Sequence, residues 1–284
     1  MGQTDRCIRA MTNDGSFRVI TIRSTDTVQG ILDAQEVSSE HAAMVGDLVT
    51  ASVLVREMMS PGMRVQAILS TSPYRFNVVA DSHPGGLTRG LVNVSEGAVV
   101  ELGEGVVLQV VRVLYNGELH QGFIGTDPQG GLSGALMAYM ERSEQITSIA
   151  MLSCVVEGER EVRAAGGAII QLLPGAEEGA VALMAARAGT FEDITPGLLA
   201  TDGDPEALLA QIMEHFDYSL LGVNPVFNGC NCDQARVLGA LASMGREELE
   251  QIVSSGEVLS INCDYCARNY SIGAEQIRPL LDSN

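Results

Sequence analysis

The 284-residue sequence contains no lysine, so all 17 of its Lys and Arg positions are arginine. The nucleotide-binding loop G-x-x-x-x-G-K-[ST] needs a lysine that reaches the phosphates of ATP. The glycine pairs of this chain, Gly85-Gly86, Gly130-Gly131 and Gly166-Gly167, therefore form no such loop. We expect no ATP-driven cycle.

Positive charge is scarce overall. The 36 acidic residues outnumber the arginines and give a net charge of -19. A strongly acidic surface repels the phosphates of nucleic acid and the headgroups of anionic lipids. We therefore expect no nucleic acid and no membrane among the partners of this protein.

Long apolar runs are also missing. No run approaches the roughly 18 residues of a membrane span, and the N-terminal stretch MGQTDRCIRAMTNDG lacks the hydrophobic segment of a signal peptide. These absences predict a cytoplasmic protein. In that compartment cysteines stay reduced, and paired cysteines more often bind metal or carry redox chemistry than form structural disulfides.

Cysteine is rare, and four of the six cysteines lie in one C-terminal segment. Cys230 and Cys232 form a C-x-C pair, and thirty residues later Cys263 and Cys266 form a C-x-x-C pair. Each pair supplies two thiolates from one tight turn, and a chain that folds back brings both pairs around a tetrahedral ion. All-sulfur ligation favours zinc, whereas iron–sulfur clusters usually show other spacings. The alternative is two unrelated clusters of buried or disulfide-bonded cysteines.

Residues 1–175 predict an α+β domain in which helices cover an antiparallel sheet. Two strands flank the turn Asn13-Asp14-Gly15, and small and apolar residues at helical spacing predict a helix from Ser39 to Met59. A second helix is predicted over 130–142. Consecutive hairpins then imply an antiparallel sheet. Its further strands are predicted at Arg64 to Ser70, Tyr74 to Asp81, Leu87 to Asn93, Val106 to Tyr115, Glu118 to Ile124, Ile146 to Val156 and Val162 to Leu173. Cys7 and Cys154 are interpreted as small core residues in strands.

Residues 176–223 are interpreted as a helical, redox-sensitive linker. Glu177 to Ala188 has a helical pattern, and Asp204 with Pro205 is a typical helix start. The following residues Leu208, Leu209, Ile212 and Phe216 give that helix one apolar face.

Residues 224–284 are predicted to form a small zinc-binding domain. Helices are expected at Asp233 to Met244 and Arg246 to Ser254, and a strand at Glu257 to Asn262 runs into the second cysteine pair. A unit of this size with few aromatic residues has little core, so the ion would supply much of its stability. We expect the loss of zinc to unfold it.

The C-x-C and C-x-x-C pairs resemble the hallmark of the bacterial redox-regulated 33-kDa heat-shock chaperonin family. The resemblance extends through shorter motifs along most of the chain: Gly46-Asp47-Leu48-Val49-Thr50-Ala51-Ser52, Val79-Ala80-Asp81 with Arg89-Gly90, His120-Gln121-Gly122, Ser143-Glu144-Gln145, Ala165-Gly166-Gly167 and Gln171-Leu172-Leu173-Pro174-Gly175. The resemblance implies that Cys230, Cys232, Cys263 and Cys266 hold one zinc ion per chain when reduced. It also implies that oxidation forms disulfides, ejects the metal and produces a holdase for unfolding or oxidatively damaged client proteins, with homodimerisation in the oxidised state.

Thiol chemistry suggests which disulfides form. A sulfenate on one cysteine is resolved by the neighbour two or three positions away. We therefore expect disulfides that join Cys230 with Cys232 and Cys263 with Cys266. The terminal domain should then melt and the connection 191–216 should loosen. Apolar residues of that connection, together with the sheet they cover, are expected to become the client surface: Leu198, Leu199, Leu208 and Ile212.

Other functions fit the residues less well. A nucleic-acid-binding zinc ribbon needs a basic face, and residues 230–272 carry more acidic than basic side chains. A thiol oxidoreductase places its C-x-x-C after a strand, at the start of a helix. The remaining alternative is a constitutive protein-binding module whose zinc is purely structural. Four histidines, His41, His83, His120 and His215, are scattered without a nucleophile arrangement, so we do not expect an enzyme.

Overall fold

The computed structural model describes residues 4–71, 75–95, 97–191 and 193–281. Tyr74, where one strand was predicted to begin, lies outside these residues. The chain forms two compact units, Met1–Asn228 and Gly229–Asn284. In the described part of the chain, no helix combines the length and the apolar character that crossing a membrane requires.

The first unit is a mixed α+β structure. Its strands are β1 Arg6–Thr12, β2 Phe17–Arg23, β3 Arg64–Thr71, β4 Phe76–Ser82, β5 Leu87–Val94, β6 Val106–Val113, β7 Leu119–Gly125, β8 Ser148–Glu157, β9 Glu161–Leu172, β10 Tyr218–Pro225 and β11 Phe227–Asn228. Its helices are α1 Thr25–Ala34, α2 Ser39–Met58, α3 Gly131–Tyr139, α4 Glu178–Ala188, α5 Thr195–Ala200 and α6 Pro205–Ile212. The predicted α+β class is confirmed.

The strands build two sheets rather than one. The five-stranded sheet has the order β10-β1-β2-β9-β8, with antiparallel neighbours throughout. The six-stranded sheet has the order β11-β5-β4-β3-β6-β7, in which only the β11–β5 pair is parallel. The β1–β2 hairpin follows from the predicted turn Asn13-Asp14-Gly15. The division into two sheets depends on long-range pairing, which alternation along one strand does not reveal.

Helix α2 lies between the two sheets, whereas we predicted that it would cover one face of a single sheet. Fifteen of its twenty residues are buried, so it packs on strands of both sheets instead of presenting one polar face to solvent. Gly46 permits this approach, because a Cβ atom there would overlap the Sγ atom of Cys154 on β8. Cys154 and Cys7 are buried on strands, which confirms their interpretation as core residues.

Helices α4 to α6 cover the outer face of the five-stranded sheet. Leu198, Leu208 and Ile212 are buried there against residues of β1, β2 and β9. Leu199, which we expected to be covered as well, is instead 47% exposed. Successive residues of a helix point about 100° apart, so Leu199 faces solvent when Leu198 faces the sheet.

Strand β10 begins within the predicted helical linker 176–223 and ends two residues beyond it. It pairs with β1 along its whole length, from Arg6 opposite Pro225 to Thr12 opposite Tyr218. Because this strand and β11 belong to the sheets, the compact units meet at 228/229, five residues beyond the predicted boundary at 223/224. The functional division into 1–175, 176–223 and 224–284 stays a prediction.

The described residues of the second unit, 229–281, form three helices and a hairpin. Its elements are α7 Gln234–Leu241, α8 Arg246–Ser255, β12 Leu259–Asn262, β13 Asn269–Ile272 and α9 Ala274–Leu281. The two predicted helices and the strand that precedes Cys263 are confirmed. The core of the unit is small: among its described residues, the buried apolar side chains are Leu241, Leu249, Ile272 and Ile277.

Candidate metal centre

The structure brings the four predicted cysteines together. The Sγ atoms of Cys230, Cys232, Cys263 and Cys266 all lie within 4.8 Å of one another. Cys230 and Cys232 lie in the segment before α7, and Cys263 and Cys266 lie in the turn between β12 and β13. This arrangement differs from two unrelated cysteine clusters, and a metal ion fits among the sulfurs.

The β12–β13 hairpin positions the second pair. Its register places Asn262 opposite Asn269, so the turn between them carries both cysteines. The Cys263 amide donates a hydrogen bond to the Arg268 carbonyl (2.9 Å), and the Ala267 amide donates to the Cys263 carbonyl (2.8 Å). These backbone hydrogen bonds close the turn that carries the sulfurs of Cys263 and Cys266.

Asp233 fixes the exit from the first pair. Directly after Cys232, its carboxylate accepts a hydrogen bond from the amide of Arg236 (2.8 Å) and so caps the N-terminus of α7. Helix α7 therefore begins two residues after Cys232, a cysteine of the cluster.

The sulfur spacing suits a tetrahedral ion. The Sγ atoms of Cys230 and Cys263 are 3.7 Å apart, and those of Cys232 and Cys266 are 3.5 Å apart. Zinc–sulfur bonds of about 2.3 Å give a tetrahedron whose edges are about 3.8 Å. A disulfide would need about 2.05 Å, so the cysteines are free thiols in this conformation. The donor set and its spacing both fit zinc.

Tyr270 on β13 completes the surroundings of the cluster. Its hydroxyl donates a hydrogen bond to the Sγ atom of Cys232 at 3.0 Å. Sequence reasoning missed this residue. The available signal was a tyrosine four residues after Cys266, on the strand that returns from the turn.

Without a metal, the thiols of Cys232, Cys263 and Cys266 differ in acidity. Burial acts to raise the pKa of Cys232, but hydrogen bonds from Tyr270 and from the other thiols outweigh it and lower that pKa to about 7. Burial and the neighbouring thiols raise the pKa of Cys266 to about 12, and burial also raises the pKa of Cys263. Of these three cysteines, Cys232 forms a thiolate most readily, and a bound cation would favour the thiolate form of every sulfur that it contacts.

The cluster is reachable from solvent, since all four cysteines are half-buried.

Two of the histidines considered in the sequence, His41 and His83, make their side-chain contacts with residues outside the cysteine cluster. His41 is buried, packs on the ring of Phe76 and hydrogen-bonds Ser38, and His83 pairs with Asp81. These contacts are of the kind that stabilise a fold.

Comparison with known proteins agrees with this architecture. Residues 5–273 match the family model described as Hsp33 protein. The 33 kDa chaperonin of Lachnoclostridium phytofermentans is 27% identical over 287 residues, with 98% of each chain covered. That of Syntrophotalea carbinolica is 26% identical and covers 98% of this chain and 99% of the relative.

A solved structure shares the fold. The crystal structure of the 33 kDa chaperonin (heat shock protein 33 homolog) from Thermotoga maritima superposes with a TM-score of 0.82, at 21% identity and 99% coverage of both chains. Because the family model spans almost the whole sequence and the curated relatives match from end to end, the chain belongs to the Hsp33 family of chaperones.

Proposed function

We propose that this protein is a redox-regulated, ATP-independent holdase of the cytoplasm. In the reduced state, Cys230, Cys232, Cys263 and Cys266 hold one zinc ion. On oxidation they form disulfides, and the protein then binds unfolding client proteins and prevents their aggregation. The observation that carries the proposal is the convergence of four half-buried sulfurs at the spacing of a tetrahedral ion.

A bound zinc ion would stabilise the second unit. The described part of its core has four buried apolar side chains, which is little for a segment that must order its helices and a hairpin. Structural zinc contributes roughly 10 to 16 kcal/mol of apparent free energy in small sites. Oxidation that removes the ligands therefore removes most of what holds this unit together.

The redox step uses neighbouring thiolates. With peroxide as oxidant, one thiolate attacks a peroxide oxygen, gains OH as a sulfenic acid and releases hydroxide. The second thiolate of the pair attacks that sulfur, forms the S–S bond and releases a second hydroxide. Two electrons leave the two sulfurs and reduce one peroxide. We assign these steps to Cys230 with Cys232 and to Cys263 with Cys266.

Helices α5 and α6 are the proposed source of the client surface. Leu198, Leu208 and Ile212 seal the outer face of the five-stranded sheet, where Ile8 and Val19 lie beneath them. Loosening of this segment would expose both the leucines and the sheet. Contiguous apolar surface of this kind binds unfolded chains without nucleotide, in keeping with the absence of a lysine-dependent phosphate loop.

A second candidate function is a constitutive chaperone with a purely structural zinc. Strand β10 favours it, because Leu220, Leu221 and Val223 are already 61%, 48% and 52% exposed. Replacement of Leu220 and Val223 by serine separates the two. If reduced protein suppresses client aggregation and the double variant does not, the constitutive reading holds.

Zinc content and disulfide mapping test the redox proposal directly. Reduced protein should contain one zinc per chain and four free thiols in the second unit. After peroxide treatment, peptide mapping should find zinc lost and the pairs Cys230–Cys232 and Cys263–Cys266. Retention of zinc after oxidation, or disulfides that cross between the two pairs, would contradict the proposed mechanism.

A further inference from the structure

We infer that Tyr270 sets the rate at which the cysteine cluster is oxidised, because its hydroxyl protects the sulfur of Cys232. This inference rests on the proposed function and assigns a task to a residue outside the four cysteines. Its basis is the hydrogen bond from the Tyr270 hydroxyl to the Cys232 Sγ atom, at 3.0 Å.

The position of Tyr270 is fixed by the fold. It lies on β13 directly opposite Ile261 of β12, and its ring packs against the core of the second unit. The hairpin that presents Cys263 and Cys266 thus also carries the hydroxyl to a sulfur of the other cysteine pair. A phenol held by packing keeps its direction without the entropy cost of a long, flexible side chain.

The Tyr270 hydroxyl is the donor of this hydrogen bond. A metal-bound cysteine is a thiolate and carries no proton, so its sulfur can only accept. The phenol proton therefore lies between the Tyr270 oxygen and the Cys232 sulfur.

The chemical consequence concerns nucleophilicity. The sulfur attacks peroxide with a lone pair, and a hydrogen bond to that sulfur withdraws electron density from it and blocks one direction of approach. The attack would place OH on the sulfur and release hydroxide, so the O–H···S bond must be broken or weakened before the S–O bond forms. Tyr270 is a positioning residue in this scheme, because it takes no part in the electron transfer itself.

The test compares zinc-loaded, reduced protein with the variant Tyr270→Phe, which keeps the ring and removes only the hydroxyl. Zinc release under excess peroxide is followed with a chromogenic chelator. Loss of one hydrogen bond should make release about three- to tenfold faster. Tyr218→Phe, in the first unit, is the matched control and should release zinc at the wild-type rate.

A second readout does not depend on zinc release. Each reduced, zinc-loaded variant, in which the metal keeps all four cysteines as thiolates, is treated with substoichiometric N-ethylmaleimide, and the labelled cysteines are quantified by mass spectrometry. The ratio of labelled Cys232 to labelled Cys230 should rise at least about threefold in Tyr270→Phe. A general loosening of the fold would raise labelling of both residues and leave the ratio unchanged.

The outcomes separate this inference from the proposed function. If wild-type protein releases zinc on oxidation and Tyr270→Phe does so at the same rate with the same labelling ratio, the role of Tyr270 is wrong and the redox proposal stands. If reduced wild-type protein holds no zinc or does not release it, the redox proposal fails, and the inference fails with it.

Discussion

At the scale of single residues, a buried carboxylate lies where several hydrogen-bond donors reach it. Asp81 is fully buried on β4 and accepts hydrogen bonds from Arg64 (2.6 and 2.8 Å), Arg89 (2.9 Å) and His83 (3.0 Å). Burial alone would raise the pKa of Asp81, but His83 and Arg64 outweigh it and hold that pKa well below its usual range. Such a carboxylate stabilises the fold only while it is ionised.

The substitution Asp81→Asn should lower the free energy of unfolding of the first unit by about 3 kcal/mol at pH 7, because it leaves partly buried cations without their anion. A depressed pKa gives stability that is present above the unfolded value, near 4, and is lost as the pH falls. The difference between wild type and variant should therefore shrink in urea unfolding at pH 3. The exposed residue Asp33 provides the control Asp33→Asn, which should change stability by less than about 0.5 kcal/mol. A difference that is independent of pH would contradict the assignment.

At the scale of elements, the contact between β9 and its covering helices needs glycine. A Cβ atom on Gly166 would lie 2.5 Å from the Ile22 carbonyl oxygen on β2 and 3.2 Å from the Leu198 Cδ2 atom on α5. Gly166 therefore lies where a neighbouring strand and a helix both approach the backbone of β9 closely. Backbone atoms of a paired strand cannot move aside, so this site accepts no side chain.

We predict that Gly166→Ala destabilises the first unit by about 2 kcal/mol or more, measured by thermal or urea unfolding. Gly179→Ala on helix α4 is the matched control, since no atom lies within 4 Å of its added Cβ. That change should be neutral or stabilising by up to about 1 kcal/mol. Equal effects of the two substitutions would show that the close approach does not matter.

Helix α6 should be held to the sheet mainly by apolar contact. Leu208→Ala removes a buried side chain and should weaken the docking of the segment by about 2 to 4 kcal/mol. Limited proteolysis of the reduced protein should then cut this segment faster, whereas Leu199→Ala, at an exposed position of α5, should behave as wild type. Faster cutting in both variants, or in neither, would contradict the packing described for α5 and α6.

The elements differ in how well the sequence predicts them. Strands β3 to β9 were predicted close to their bounds. Helix α2 was predicted almost to the residue. Strand β10 was missed because Tyr218–Pro225 lacks alternation, and its pairing partner β1 is some two hundred residues away in sequence. The cysteine cluster followed from spacing alone. The bond from Tyr270 to Cys232 depends on the register of a hairpin, which no local pattern specifies.

At the scale of the whole molecule, the two units are stabilised in different ways. The first has a large apolar core shared by two sheets and α2. The second has a small core and a cluster of four sulfurs. This contrast is what a switch requires, since one unit can lose its structure while the other keeps its own.

Removal of zinc from the reduced protein with a strong chelator should therefore unfold the second unit selectively. Hydrogen exchange read by mass spectrometry should show loss of protection in α7, α8 and β12, with α2 unchanged. Readdition of zinc should restore the protection. If the second unit keeps its protection without metal, its small core suffices and the zinc-dependent switch is contradicted.

The central claim is that oxidation of the four cysteines turns the protein into a holdase. The most direct measurement follows light scattering from a heat-unfolding client protein mixed with reduced, zinc-loaded protein or with peroxide-treated protein, while a chromogenic chelator reports released zinc. We predict that only the oxidised sample suppresses aggregation, and that suppression rises in step with zinc release. Equal suppression by both samples, or zinc release without any gain in suppression, would contradict the claim.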